Sequence, residues 1–286
     1  MKWYNKYIST YNTTYDPIIH KNITLQIKEK ITKLQADTPI VTVSVIAYNE
    51  EKHLLSCLWS LSDMVCKYPI EIIGVDNDSK DKTAQIFKSC GIPFYTESQH
   101  SCGYARLCGL NNAKGKYHIN IDADTMYPPH YVELMVNELE KKNVVGVSSL
   151  WSYIPDKHHS RFGLFIYENC RDMYLFLQSF KRPELSVRGL VFAYNTSLAK
   201  ETGIRTDIIR GEDGSLALAL KKYGKIHFIR NKKARPITGY GTISQDGSFY
   251  NSFKSRFIKG IKNISHIFTQ NESYKDEDSN LINKTK

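Results

Sequence analysis

The sequence predicts an α/β protein with a mostly parallel sheet flanked by helices, on three observations. β-branched runs of buried-strand length alternate with helix-period stretches between residues 40 and 146. The connections between them are long enough for crossover helices, which place helices on both faces of a parallel sheet. Three of the runs end in polar clusters, and in an open α/β sheet ligands bind outside the carboxyl ends of the strands.

The elements follow in order. In residues 1–38, Ile23, Ile27, Ile31 and Leu34 recur at helical spacing, so this N-terminal extension should hold a helix packed on the body. Ile40–Ala47 (IVTVSVIA) reads as a buried strand, and Leu54, Leu55, Leu58 and Leu61 mark the helix after it. A second strand, Glu71–Val75, leads to a helix over Thr83–Cys90 and a short strand, Phe94–Glu97. Tyr104–Ala113 forms the next helix and Tyr117–Ile121 the next strand. Residues 39–230 make one domain, divided into a half over 39–146 and a less regular half over 147–230. The second half carries an aromatic helix, Phe162–Phe180, a strand at Leu190–Tyr194, a helix opened by Gly211-Glu212-Asp213, and a strand at Ile226–Ile229. Residues 231–286 form a basic C-terminal segment with an amphipathic helix and a charged, disordered tail.

Composition narrows the class. With 286 residues, 41% hydrophobic and 24% charged, the chain is ordinary globular protein. Its six cysteines form no CxxC pair and no ligand cluster with histidine, which favours reduced cytosolic thiols. The N-terminus lacks the apolar core of a secretory leader, and no run of about 18 apolar residues occurs. A cytoplasmic protein is expected, free or resting on the inner face of the membrane. The net charge of +10 gathers at the ends: Arg230, Lys232, Lys233, Arg235, Lys254, Arg256, Lys259 and Lys262 face only Asp246. A neutral body with a basic end suits an anionic membrane better than nucleic acid.

The three strand ends, Tyr48-Asn49-Glu50, Asp76-Asn77-Asp78-Ser79 and Asp122-Ala123-Asp124, would converge on one crevice. Each alone is readable as a turn or helix cap. On an extended segment Asp122 and Asp124 point to one side, where a hard divalent cation bridging to a diphosphate would relieve their repulsion.

VTVSVIAYNEEKHLLSCLWSL, EIIGVDNDSKDKT and YARLCGLNNAKGKYHINIDADTMYPPHYVELM together resemble the inverting glycosyltransferases of family 2, which have the GT-A fold and its Rossmann-like sheet. RGLVFAYNTSLAKETGIRTDIIRGEDGSLALALKKYG resembles the acceptor half of that family. The resemblance covers about residues 40–230 and implies a function: transfer of one sugar, with inversion, from a nucleotide diphosphate sugar (a UDP-sugar favoured) to a glycan or lipid-linked acceptor, as in bacterial surface polysaccharide synthesis. It also implies roles. Ala47, Tyr48, Asn49, Glu50, Asp76 and Asn77 would lie beside the nucleotide, Arg106 near the diphosphate, and Asp122 and Ala123 at the ribose. Asp124 would bind Mn2+ or Mg2+, with Asp122 and His227 as further candidate ligands; Asp213 would be the general base and Glu212 its neighbour. Asp213 is also readable as a cap favoured by the helix dipole, Arg106 as a surface arginine, and His227 as a sheet-face histidine.

The chain departs from the family pattern where a glycine-containing turn is usual: Asn77-Asp78-Ser79-Lys80-Asp81-Lys82-Thr83 has none, though Asp78 tolerates left-handed dihedrals. No Gln-x-x-Arg-Trp motif follows Glu212-Asp213, which favours single transfer over polymerisation. Phe249, Phe253, Phe257, Ile261, Ile264 and Phe268 share a face with basic residues on the others. Residues 249–268 are therefore either an interfacial membrane helix or a helix packed on the body. Two other classes stay open: a nucleotidyltransferase, which would need a Gly-rich phosphate loop after the first strand, and a non-catalytic basic adaptor, which would need neither Asp124 nor Asp213.

Overall fold

A computed structural model of the chain describes residues 2–155 and 161–239. After a 3-10 helix at Trp3–Thr10, helix α1 (Lys21–Leu34) lays Ile27 and Ile31 into the core, with Ile23 and Leu34 at its margin. The first half then runs β1 (Val41–Ala47), α2 (Leu54–Ser62), β2 (Ile70–Asp76), α3 (Thr83–Ser89), β3 (Phe94–Thr96), α4 (Cys102–Asn112) and β4 (Tyr117–Asp122). Each of these lies within two residues of its expected bounds.

The rest comprises β5 (Thr125–Met126), α5 (Tyr131–Leu139), β6 (Val144–Ser149), β7 (Ser152–Tyr153), α6 (Arg161–Ser179), β8 (Phe192–Asn195), α7 (Thr196–Thr202), α8 (Glu212–Leu220), β9 (Lys225–Ile229) and β10 (Ile237–Thr238). The main sheet has the order β3-β2-β1-β4-β8-β6-β9. All neighbours are parallel except β8, which runs against both β4 and β6. Helices α1, α2, α3 and α5 cover one face, and α4, α7 and α8 the other. A smaller sheet, β5-β10-β7, stands beside it.

Several features went beyond the sequence reading. Helices α5 and α7, strand β6 and the small sheet had not been placed. The division at residue 146 passes through β6. The strand expected from Leu190 begins at Phe192, because Gly189–Val191 form a 3-10 turn. The amphipathic segment 249–268 and the tail lie outside the described residues. Among those described, no helix is long and apolar enough to cross a membrane.

Strand register is what builds the site. Ala47 pairs with Asp76 across β1 and β2, and Ile46 pairs with Asp122 across β1 and β4. The three polar strand ends therefore leave three adjacent parallel strands at one level. Strand β1, buried but for Ile46, and the fully buried β2 hold that level, since a one-residue slip would exchange the side chains packed against the two helical layers.

Candidate active site

On the first strand end, Ala47 is buried and Tyr48 stands about half exposed, its ring edge-on to His100 at 5.2 Å. Asn49 has φ 53°, and its backbone N–H donates to Ser79 Oγ at 2.9 Å while its side chain accepts from Lys80 N–H at 2.8 Å. Glu50 N–H donates to Thr83 Oγ1 at 2.8 Å. These contacts knit the first strand end to the second without glycine. Asp78, at φ 58°, takes the left-handed position the turn needs.

Asp76 is buried, its Oδ1 accepting from Ser79 N–H at 3.1 Å. Asn77 donates to the carbonyls of Glu97 and Gln99, both at 2.8 Å, and so pins the loop that leads into α4. Of the residues expected beside a nucleotide, Asn49 and Asn77 thus spend their side chains on holding loops, and Tyr48 is the one left open.

Arg106 is the centre of the site. Helix α4 carries it inward, and it is 4% exposed, not on the surface. Its Nη2 lies 3.0 Å from Asp122 Oδ1, and its Nε lies 3.2 Å from Asp213 Oδ1 and 3.4 Å from Glu212 Oε1. The sequence showed no cation beside Asp122; the fold supplies one from sixteen residues away. Nη1 is buried with no acceptor among the described residues, so three carboxylates do not saturate the guanidinium.

Asp124, two residues from Asp122, has a different setting. Thr125 Oγ1 donates to its Oδ1 at 2.9 Å, and no cation pairs with it among the described residues. Burial, then the charges of Asp122 and Glu50, push its pKa up to about 7. A carboxylate raised this way gains most from a nearby cation. No group of three potential ligand side chains occurs among the described residues. A one- or two-carboxylate site completed by phosphate and water fits Mg2+-like ions all the same.

Asp213 and Glu212 open α8 because Gly211, at φ 101°, turns the chain into the helix. Burial, with Glu212 and Asp122 adding to it and Arg106 opposing, holds the Asp213 pKa well above the ordinary carboxylate range. His227 is not part of this cluster. Its Nδ1 lies 2.8 Å from Glu138 Oε1 on α5, and β9 sits three strands from β4, about 14 Å across the sheet. That is the sheet-face placement.

Other site residues escaped the sequence reading. Asn120 Nδ2 donates to Asp213 Oδ1 at 3.2 Å, and Tyr194 O–H donates to Asn120 Oδ1 at 3.1 Å. Tyr194 stacks on His118, whose pKa burial pushes down to about 3, helped by Arg106 and Lys200. A usable signal was present: His118 and Asn120 are polar residues two apart within β4, ahead of Asp122 at its end. Gly189 touches the cluster directly, since a Cβ there would lie 1.8 Å from Arg106 Nη2 and 2.5 Å from Asp213 Oδ2. Tyr11, from the N-terminal extension, donates its hydroxyl to the Asp124 carbonyl at 2.9 Å and packs on His53.

Known proteins were compared with this arrangement. The Glycosyl transferase family 2 domain matches residues 42–195, more than half of the chain. An uncharacterized glycosyltransferase of Rickettsia prowazekii is 33% identical over 128 residues, 43% of this chain and 40% of that protein. The glycosyltransferase SunS of Bacillus subtilis is 35% identical over 97 residues, 32% of this chain and 22% of that one. The chain spans less than half the length of these curated relatives. Among solved structures, the Pyrobaculum calidifontis mannosyltransferase in complex with GDP-mannose and Mn2+ superposes with TM-score 0.58 at 17% identity, over 93% of this chain and 80% of that one. TarS of S. aureus in complex with UDP superposes with TM-score 0.55 at 17% identity, over 70% of this chain and 60% of its own. At such identity the structures establish the GT-A fold, and the domain match establishes the rest: the chain belongs to glycosyl transferase family 2.

Proposed function

We propose that the chain transfers a single sugar, with inversion, from a nucleotide diphosphate sugar, a UDP-sugar favoured, to a hydroxyl of a glycan or lipid-linked glycan. The observation that carries this reading is the Arg106 hub. One guanidinium joins the Asp122 end of β4 to Glu212-Asp213 at the start of α8, so a donor crevice and a buried carboxylate share a wall. The neighbours named above were solved with GDP-mannose and with UDP, which supports a nucleotide-linked donor.

In the proposed reaction Asp213 accepts the proton of the acceptor hydroxyl as its oxygen attacks the anomeric carbon. The bond to the diphosphate breaks on the opposite face, and the electron pair leaves with the phosphate oxygen. A carboxylate raised toward the working pH is the stronger base. Asn120 orients Asp213, and Arg106 restrains it while linking it to Asp122 at the proposed donor side. Asp124 would hold Mn2+ or Mg2+, which supplies neutralisation of charge on the departing diphosphate.

The test uses thermal stabilisation and transfer together. Bound donor stabilises the native state by mass action. One nucleotide sugar should raise the melting midpoint in the presence of Mn2+, and Asp124→Ala should abolish that rise. Asp213→Asn should keep the rise and lose transfer. A folded protein that answers to no nucleotide sugar, with or without metal, refutes the reading.

A further inference from the structure

Helix α6 carries an apolar stripe that nothing in the described structure covers. Phe162, Phe165, Met173, Leu177 and Phe180 are each more than half exposed, and Ile166 nearly so. At helical spacing they share one face of a helix of 19 residues, about 28 Å long, with Asn169 interrupting the stripe between Ile166 and Met173 and Phe180 just past the helix end. The opposite side of α6 is ordinary core: Leu164, Tyr167 and Leu175 pack with Leu150, Trp151, Tyr153 and Val191. An apolar strip of this length on a surface marks an interaction site.

The charges around the stripe say what kind of partner it fits. The acids of α6, Glu168 and Asp172, sit on its inner side and are paired with Arg235, Asp172 with Arg171 as well. The exposed charges near it are cationic: Arg161 begins the helix, Lys181 follows it, and Arg230 lies over the Phe176 ring at 4.2 Å. Aromatic and aliphatic side chains between cations, with no exposed acid on the helix, match the chemistry of an anionic lipid surface. A protein partner would have to supply both an apolar strip and a matching set of acids.

We infer that α6 is a membrane-docking helix, its Phe162–Phe180 stripe entering the headgroup boundary of an anionic bilayer. The stripe is carried by residues other than 249–268, and the inference does not depend on the transfer reaction. It bears on it nonetheless. The core under α6 includes Val191 and Leu190, next to Gly189, which abuts Arg106 and Asp213. A docked α6 would therefore hold the acceptor side of the site one layer of side chains from the lipid, where a lipid-linked acceptor could reach it.

The experiment is co-sedimentation of the full chain with vesicles of phosphatidylcholine alone or mixed with phosphatidylglycerol. The expected result is binding at least about tenfold stronger to the anionic vesicles. The triple substitution Phe162→Ser, Phe165→Ser, Met173→Ser should abolish it without lowering the melting midpoint, because these side chains are exposed. No binding to either vesicle overturns the proposal. So does binding that survives the triple substitution and is lost on Phe253→Ser with Phe257→Ser, which would assign the contact to residues 249–268. A fall in the melting midpoint, or conversion of a dimer to a monomer, would show the stripe covered by this chain or by a second copy, and equally overturns it.

Discussion

The proposed donor half (residues 39–146) and the proposed acceptor half (147–230) position their side chains by different means. In the donor half the backbone does it: three parallel strands in fixed register deliver Tyr48, Asp76 and Asp122 to one level, and loop residues such as Asn49 and Asn77 only stiffen the arrangement. In the acceptor half no ladder leads to Asp213. It is held by side chains from elsewhere, by Arg106 on α4 and Asn120 on β4, against the bare Cα of Gly189. A site part built this way should tolerate single substitutions on the donor side far better than on the acceptor side.

The sharpest way to break that contrast is Arg106. Removing one partner of a buried ion pair leaves the others uncompensated, so Arg106→Ala should cost about 3–5 kcal/mol. Chemical denaturation would measure it as a drop in midpoint. Asn77→Ala, which removes two neutral hydrogen bonds, should cost less, about 1–3 kcal/mol. Equal losses would mean that the guanidinium is not the hub its geometry suggests.

Gly189→Ala sharpens the same point at the level of rate. The added methyl would overlap Arg106 Nη2 and press on Asp213 Oδ2, forcing both to move. Displacements of about 1 Å in a reacting geometry cost on the order of a hundredfold. Transfer should fall by about that factor, while the donor-induced rise in melting midpoint falls much less, since Arg106 Nη2 also holds Asp122 but the first two strand ends are untouched. Loss of donor binding instead would show the two halves to be less separable than this.

These contrasts explain which parts were legible from sequence. The donor half was readable because buried parallel strands are continuous β-branched runs, and VTVSVIA and EIIGV each end at a polar cluster. The second half was readable in part: the aromatic helix, the strands β8 and β9 and the Glu212-Asp213 helix start gave signals, and β6, α5 and α7 did not. Strand β6 (VVGVSS) has a glycine and two serines where a β-branched run would mark it, and its burial comes from neighbours far along the chain. Arg106 could not be told from a surface arginine, because α4 is nearly without apolar sidedness and the acids that draw Arg106 inward lie up to 107 positions away in sequence. Tyr11 gave no signal, since its partner is a backbone carbonyl.

A smaller effect belongs to Asn120. Its amide donates to Asp213 Oδ1, a bond that favours the charged form. Asp213 already has a raised pKa, and its ionised form is the proposed base. Losing the donor raises that pKa further, so the reactive fraction falls first at low pH. Asn120→Ala should lower transfer about tenfold and move the acid limb of the rate profile upward, with the alkaline plateau less affected. An unshifted limb with a uniform loss would mark Asn120 as a packing residue only.

The smallest expected effect is at Tyr11, where the N-terminal extension meets the first half and the segment after β10. Its hydroxyl donates to the Asp124 carbonyl, and its ring packs on His53 at 4.8 Å. Gly239, just after β10, leaves room for that hydroxyl: a Cβ there would lie 2.5 Å from it. Burial, then the charges of Asp124 and Glu50, raise the Tyr11 pKa, so the hydroxyl stays protonated and remains a donor throughout the working range. Tyr11→Phe keeps the ring and removes only the hydrogen bond, which is worth about 0.5–1.5 kcal/mol. Because the bond is to the backbone beside the proposed cation site, the loss should appear as a several-fold weaker Mn2+ requirement curve for donor-induced stabilisation, with the melting midpoint of the free protein little changed. A weakening of that size would make the extension a working part of the donor site; an unchanged metal curve would leave it a strut.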